Sequence, residues 1–225
     1  MSALTITTIR EHGGLFQAIP AGDGVPAFRL MQTPVTNAQY RAAVLAGVVP
    51  PPAASNQVWQ LRTHDDHPVV DVTLAQAQAY AQWLGGRLPR AVEYARAQGA
   101  QRYPWGDAAP EPRHANLAQP ALLPVGSCPD GAGPYGTLDL VGGVWEWVLP
   151  EQPGEVAVTG GAYCTTLAQL AAAARVAVRT RYYWLTPGMI GFRVAVGPQP
   201  PARVALVPPR RGRGRPRKDA LPRAA

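Results

Sequence analysis

The sequence predicts an α+β domain with a few helices, short strands and long ordered loops. The 225 residues include 23 Gly and 25 Pro, both above the usual share, so turns and irregular connections are numerous. Three stretches have helical periodicity with capping residues at their ends, and the chain between them is punctuated by turn residues. This pattern is not that of a doubly wound sheet or a closed barrel.

The helices are the most clearly marked elements. Thr36 or Asn37 can cap the first helix, Thr73 the second, and Pro89 is suited to the start of the third. We predict helices over about 37–45, 73–84 and 90–98. Short strands are predicted at 27–31, 69–72, 155–159 and 192–196.

The charge is unevenly distributed along the chain. The net charge is +7, and the segment 199–225 alone contains 8 of the 21 basic residues and 1 of the 14 acidic residues. The rest of the chain is therefore neutral, and the high pI belongs to the C-terminal segment. We predict a folded domain over 1–197 and a disordered, Pro- and Arg-rich tail over 198–225.

The tail contains a short motif that resembles the core of an AT-hook. An extended Arg-Gly-Arg-Pro tract is narrow enough to enter the minor groove of A·T-rich DNA. The same residues could equally form a solubilising tail or one that binds polyanions generally. The candidate nucleic-acid-binding residues are Arg213, Gly214, Arg215, Pro216, Arg217 and Lys218.

Composition also excludes several classes of protein. No apolar run is long enough to span a membrane, and residues 1–14 lack the core of a signal peptide. The two cysteines, Cys128 and Cys164, are better explained as separate reduced thiols than as a disulfide, so we expect a cytoplasmic protein. Asp65, Asp66 and His67 form an acid–histidine cluster, but without a second set of ligands we expect no metal and no cofactor.

Several motifs occur in an order that resembles one known family. They are PVTNAQY at 34–40, HPVVDVT at 67–73, RLP at 87–89, YPWGD at 103–107, YGTLDLVGGVWEW at 135–147, GGAY at 160–163 and IGFRVA at 190–195. Together they resemble the sulfatase-modifying, formylglycine-generating-enzyme-like family, which implies a C-type-lectin fold. In the WEW motif, alternation points two indoles one way and the carboxylate the other, and we interpret Arg193 as a buried anchor for loop carbonyls.

One departure from the family pattern determines the functional expectation. The resemblance implies that the family's oxidases hold copper with two cysteines between the GGAY-like and GFR motifs, and this stretch contains only Cys164. Alanines 171–174 occupy the region of the pair. We therefore expect no catalytic residues and a protein that is not an enzyme.

The remaining hypothesis is a display protein that binds a ligand. The resemblance extends to the variable proteins of diversity-generating retroelements, whose hypervariable segment corresponds to 163–189 here. Tyr, Trp and Arg are enriched at binding hot spots, and this segment concentrates them. We expect an unknown protein or other macromolecule to bind through Tyr163, Cys164, Thr165, Arg181, Tyr182, Tyr183, Trp184, Thr186 and Met189. The alternatives are a divergent formylglycine-generating-type oxidase or other family enzyme, and a DNA-associated protein acting through its tail.

Overall fold

The computed structural model describes residues 14–53, 56–60, 62–149, 157–166, 168–169, 178–179 and 188–198. The elements in chain order are β1 (Phe16–Ile19), β2 (Phe28–Met31), α1 (Asn37–Leu45), α2 (Gln57–Gln60), α3 (Leu74–Trp83), α4 (Ala91–Gln98), β3 (Trp145–Val148), β4 (Ala157–Thr159), β5 (Val178–Arg179), β6 (Ile190–Gly191) and β7 (Ala195–Val196). Short 3-10 turns occur at Arg62–His64 and Pro129–Gly131.

The strands of the described residues form two small sheets. The first has the order β1-β2-β7, with both pairs antiparallel. The second has the order β5-β4-β3-β6, in which β3 pairs with β4 antiparallel and with β6 in parallel. Because β6 and β7 are separated by only three residues, the end of the described chain passes directly from one sheet to the other.

The three predicted helices are confirmed, and the starts of the first two follow from local capping. At α1, the Thr36 hydroxyl accepts from the Gln39 backbone N–H, and the Gln39 side chain accepts from the Thr36 N–H. Thr73 and Gln76 repeat this reciprocal arrangement at α3. Each pair satisfies two backbone donors that a helix start would otherwise leave without partners.

The larger core lies between α1, α3 and the second sheet. Tyr40 from α1 stacks on Tyr80 from α3 with ring centroids 5.7 Å apart, and Phe192 packs edge-on against both rings. Trp145 and Trp147 of β3 face this same core. The predicted alternation is therefore confirmed, because Glu146 between them faces the opposite side of the strand, where it meets Arg193.

Arg193 is the buried anchor that the sequence predicted. Its side chain and that of Glu146 are both fully buried, and two guanidinium nitrogens each donate to a different carboxylate oxygen at 2.7 Å. The other bonds go to main-chain carbonyls, those of residues 31 and 32 at the end of β2 and of residues 138 and 139 before β3. Burial alone would lower the pKa of Arg193, but the Glu146 carboxylate raises it above its usual value. The guanidinium is therefore permanently charged.

Two of the predicted strands differ from the structure. Residues 69–72 are not assigned to a strand, and only Pro68 forms an isolated bridge, with Thr36. This stretch crosses close to β6, where a Cβ placed on Gly191 would lie 2.7 Å from the Val69 carbonyl oxygen. In the stretch 192–196, only Ala195–Val196 is a strand, because the residues before it turn inward to bury Phe192 and Arg193.

Residues 199–225 of the C-terminal tail lie outside the described residues, including the AT-hook-like residues 213–218. The domain boundary at 197 and 198 stays a prediction. Within the part of the chain that the structure describes, no helix has the length and apolar character needed to cross a membrane.

We predict that removing the Glu146 carboxylate destabilises the fold strongly. Glu146→Ala leaves the charged Arg193 guanidinium buried without its counter-ion, which should lower the free energy of unfolding by about 3–5 kcal/mol. Urea denaturation measures the change. Arg113→Ala is the control, because its ion pairs with Glu111 and Asp130 are exposed, and it should leave the midpoint unchanged. A Glu146→Ala protein as stable as the parent would contradict the anchoring role.

Candidate functional site

The first described end of the 163–189 segment is a tight turn at Tyr163–Thr165. The Tyr163 N–H donates to the Gly143 carbonyl at 2.7 Å, which ties the turn to the residues just before β3. The Tyr163 and Thr165 carbonyls accept from the N–H groups of Gln119 and Ala118. Main-chain bonds on both sides therefore fix the turn, and the Cys164 side chain on it is exposed.

The other described end of the segment is held by β3 as well. The Met189 carbonyl accepts from the Trp145 N–H at 2.8 Å, and β6 follows immediately in parallel with β3. The Gly188 N–H donates to the Asp71 carboxylate. Asp71 itself has a positive φ of 61°. The loop that carries Asp71 and the Gly188–Met189 end of the segment therefore meet beside the first residue of β3.

Two sulfur atoms meet where these ends converge. The Cys164 Sγ lies 3.6 Å from the Met189 Sδ, and the Cys164 side chain is exposed. A thiol next to a thioether is a soft, polarisable pair that can be oxidised or can contact an apolar ligand. Among the described residues, the Cys164 thiol contacts a thioether and no base, so this part of the site does not resemble an activated nucleophile.

The structure describes only part of the predicted binding surface. Tyr163 and Met189 are half-buried, and Cys164 is exposed, so these three can face a ligand. Thr165 cannot, because it is 6% exposed and its hydroxyl accepts from the Ala162 N–H at 2.9 Å. Its role is to close the turn. The predicted residues outside the described chain are Arg181, Tyr182, Tyr183, Trp184 and Thr186.

The second thiol is in a different environment. Cys128 is 3% exposed, and its Sγ donates to the Pro112 carbonyl at 3.3 Å. Burial, and secondarily the Asp139 carboxylate, raise the pKa of Cys128. Cys128 is therefore a neutral, inert thiol with no contact to Cys164. The described residues do not fit a copper ion held by paired thiolates.

A small cavity lies beside Gly143. It has a volume of about 10 Å³, and its mostly apolar lining includes Asn116 and Asp139. Within the described part of the chain, the Asn116 Oδ1 is buried without a hydrogen-bond partner. Burial raises the pKa of Asp139, although the Gly126 N–H and Arg193 act in the opposite direction.

The pairing of two histidine side chains was not identified from the sequence. The acid–histidine cluster at 65–67 was identified, but His64 was not grouped with it. In the structure the His64 and His67 rings lie 4.6 Å apart. Their i, i+3 spacing at the end of a helical turn was the signal that could have found the pair.

Comparison with known protein families identifies the family to which this chain belongs. Residues 12–197 match the family described as the sulfatase-modifying factor enzyme 1-like domain. The chain belongs to this family, as its motifs implied.

Several of the curated relatives are enzymes by name, whereas a Bos taurus relative, 34% identical over 161 residues, is named inactive C-alpha-formylglycine-generating enzyme 2 and covers 61% of this chain and 52% of that protein. Hercynine oxygenase from Mycolicibacterium thermoresistibile is 37% identical over 163 residues, which cover 55% of this chain and 35% of that protein. The formylglycine-generating enzyme of Mycobacterium tuberculosis is 38% identical over 101 residues, covering 38% of this chain and 34% of that protein. The chain thus spans about a third of the length of these two enzymes. The expectation that it is not an enzyme is wrong, since relatives over more than half of the chain are named as oxygenases.

Solved structures support the fold assignment. PvdO from Pseudomonas aeruginosa superimposes with a TM-score of 0.58 at 20% identity, covering 81% of this chain and 90% of that chain. Treponema denticola variable protein 1 superimposes with a TM-score of 0.57 at 16% identity, covering 83% and 93%. The α+β fold of the formylglycine-generating-enzyme and C-type-lectin type is confirmed.

We predict that the two thiols differ sharply in reactivity. One thiol per chain should react quickly with Ellman's reagent in the native protein, and the second only after unfolding, because Cys164 is exposed and Cys128 is buried. Cys164→Ser should remove the fast phase and Cys128→Ser should retain it. Two fast thiols in the native protein would contradict the placement of Cys128.

We also predict that Asp139 destabilises the fold as pH rises. Its pKa is raised in the folded state, so the unfolded chain loses this proton at lower pH and stability falls as pH rises through the folded pKa. Asp139→Asn keeps an acceptor for the Gly126 N–H and tolerates the positive φ of 54°. Urea denaturation should show that its advantage over the parent protein grows from acid to neutral pH. The exposed Asp130→Asn is the control, and an equal or shrinking advantage for Asp139→Asn would contradict the sign.

Proposed function

We propose that this chain is the sulfatase-modifying-factor-like domain of an oxidative enzyme that acts on a small betaine of the hercynine type. The observation that carries the proposal is the 37% identity to hercynine oxygenase over 163 residues. The similarity covers 35% of that protein, so this chain supplies one part of the activity, and the remaining chemistry needs groups beyond the described residues.

The chemistry of the predicted binding segment suits such a substrate. Hercynine is histidine with a trimethylated amino group, so it carries a quaternary ammonium and a carboxylate. Aromatic faces bind quaternary ammonium groups through cation–π attraction, and arginine pairs with carboxylates through two parallel hydrogen bonds. Arg181, Tyr182, Tyr183 and Trp184 place both kinds of group together in sequence.

The fixed ends of the segment support a role in positioning a substrate. The turn at Tyr163–Thr165 and the Gly188–Met189 corner are both held close to the start of β3, through Gly143 and Trp145. A binding segment held at both ends loses less conformational freedom when a ligand binds. Cys164 and Met189 would form the floor of the surface at that point.

The arrangement of the cysteines favours this activity over copper-dependent peptide oxidation. Cys128 is buried and hydrogen-bonded to a carbonyl, whereas Cys164 contacts Met189. Two thiolates cannot converge on one ion without moving Cys128 out of its site. The oxidation of a cysteine-containing peptide through paired thiolates is therefore disfavoured for this chain.

The test is calorimetric titration of the full chain with hercynine. Saturable binding is expected, with histidine binding at least about tenfold more weakly because it lacks the trimethylammonium group. Arg181→Gln should weaken hercynine binding by about 10- to 100-fold, the usual range for a hydrogen bond to a charged group. Trp184→Ala should weaken it by about 3- to 30-fold through loss of cation–π attraction. Arg102→Gln is the matched control, because Arg102 is exposed outside the segment and lies over Tyr103, and this variant should bind normally.

An oxygen-consumption assay with copper and a cysteine-containing peptide separates the alternatives. Absence of hercynine binding, together with copper-dependent oxygen consumption on a cysteine-containing peptide, would assign the chain to the formylglycine-generating type instead. Hercynine binding that is unaffected by both segment variants would place the substrate elsewhere on the domain.

A further inference from the structure

Two histidines lie together on the loop between α2 and α3. His64 ends the 3-10 turn Arg62–His64, and His67 follows three residues later. Their ring centroids are 4.6 Å apart and the ring planes are tilted by 57°. We call His64 and His67 the histidine pair.

Both imidazoles use the same nitrogen for a local hydrogen bond. The His67 Nδ1 lies 2.8 Å from the Asp66 carboxylate, and the His64 Nδ1 lies 3.0 Å from the Thr63 hydroxyl. With Nδ1–H donating to these oxygens, each Nε2 carries the lone pair. Among the described residues neither Nε2 has a hydrogen-bond partner. A carboxylate bonded to one ring nitrogen is the arrangement that orients metal-binding histidines and raises their basicity.

The loop that carries the histidine pair is held by its main chain, and the His67 side chain itself is 13% exposed. The His64 carbonyl accepts from the Asn37 side-chain amide at 2.9 Å, and the His67 carbonyl accepts from the Asn37 N–H at 2.9 Å. Asn37 is 1% exposed at the start of α1. The Asp66 carbonyl accepts from the Val125 N–H on the far side of the loop. The backbone of the loop is thus fixed without the rings.

The surrounding charges leave one acidic group beside the pair. Asp65 is engaged by Arg41, whose guanidinium also lies 4.2 Å from the centroid of the Trp59 ring. The Asp66 side chain is 67% exposed and is paired with His67. Arg62 is exposed at the start of the same turn. The carboxylate nearest to the rings is therefore available to balance a bound cation.

We propose that the histidine pair binds a divalent transition-metal ion through the two Nε2 atoms, with Asp66 as the positioning carboxylate. Imidazole nitrogen is a preferred ligand of ions such as Zn²⁺, Ni²⁺ and Cu²⁺. At a metal–nitrogen distance of about 2.1 Å each ring centre lies about 3.2 Å from the ion. Two ligands at the right angle that Cu²⁺ and Ni²⁺ favour then have ring centres about 4.5 Å apart, and two at the tetrahedral angle of Zn²⁺ about 5.2 Å apart. The observed 4.6 Å is close to the right-angle value and requires a small movement of the rings for Zn²⁺.

The proposed site has two protein ligands and is therefore open. No group of three or more His, Cys, Asp or Glu side chains among the described residues is arranged to hold a metal ion. The remaining coordination positions are left to water or to an external ligand, as in sites where a metal meets a substrate. Metal binding at the histidine pair is independent of the proposed hercynine activity.

The test is titration of the full chain with Zn²⁺, followed by electron paramagnetic resonance with Cu²⁺. One equivalent of Zn²⁺ should bind, and the Cu²⁺ spectrum should show coupling to two imidazole nitrogens. His64→Gln and His67→Gln should each weaken Zn²⁺ binding by at least about tenfold, since each removes one of two ligands. Asp66→Asn leaves both ligands in place and should weaken binding by about 10- to 100-fold, the usual range for partners that orient metal ligands.

The sequence offers matched controls, because it contains four histidines. His12→Gln should bind Zn²⁺ as the parent protein does. Cys164→Ser should also bind normally, which excludes the exposed thiol as the ligand. The His64 and His67 variants should still melt cooperatively, since the main chain holds the loop. Stoichiometric binding that survives in the His64/His67 double variant, or no binding to the folded parent at millimolar Zn²⁺, would overturn the proposal.

Discussion

The buried pair of Arg193 and Glu146 is the interaction on which the rest of the structure depends. A guanidinium has five donors in a fixed plane, and here they connect the chain after β2, the loop before β3 and β3 itself. Tyr94 of α4 adds its hydroxyl to Glu146, which brings a helix into the same network. Burial, and then the Glu146 charge, raise the pKa of Tyr94 well above its usual value, so the phenol remains a donor.

This network also explains how the candidate site is placed. Both ends of the 163–189 segment form hydrogen bonds at the start of β3 or just before it. β3 is in turn fixed through Glu146. The site is therefore positioned by a charged group on the opposite face of the strand from Trp145 and Trp147. The positions of the two segment ends at the surface therefore depend on the buried ion pair between Arg193 and Glu146.

Sequence reasoning found the elements that local chemistry determines and missed those that distant contacts determine. The helices were found because Thr36 and Thr73 carry their own capping partners three residues ahead. The short strands were harder, since Ile190–Gly191 becomes a strand only by pairing with residues 145 and 146. The contact between Cys164 and Met189 spans 25 positions and has no local signal. The expectation of a protein without enzyme activity was wrong because a missing cysteine pair excludes one kind of oxidation, not oxidation in general.

Both ends of the 163–189 segment are attached beside β3, and this affects which sequence changes the fold tolerates. A loop whose ends are already held together is lengthened cheaply, because each doubling of its length costs only about 0.6 kcal/mol in closure entropy. Insertions and replacements on either side of β5 (Val178–Arg179) therefore leave the two anchor points where they are. In the course of evolution much of this stretch can be exchanged while the interior of the domain stays as it is.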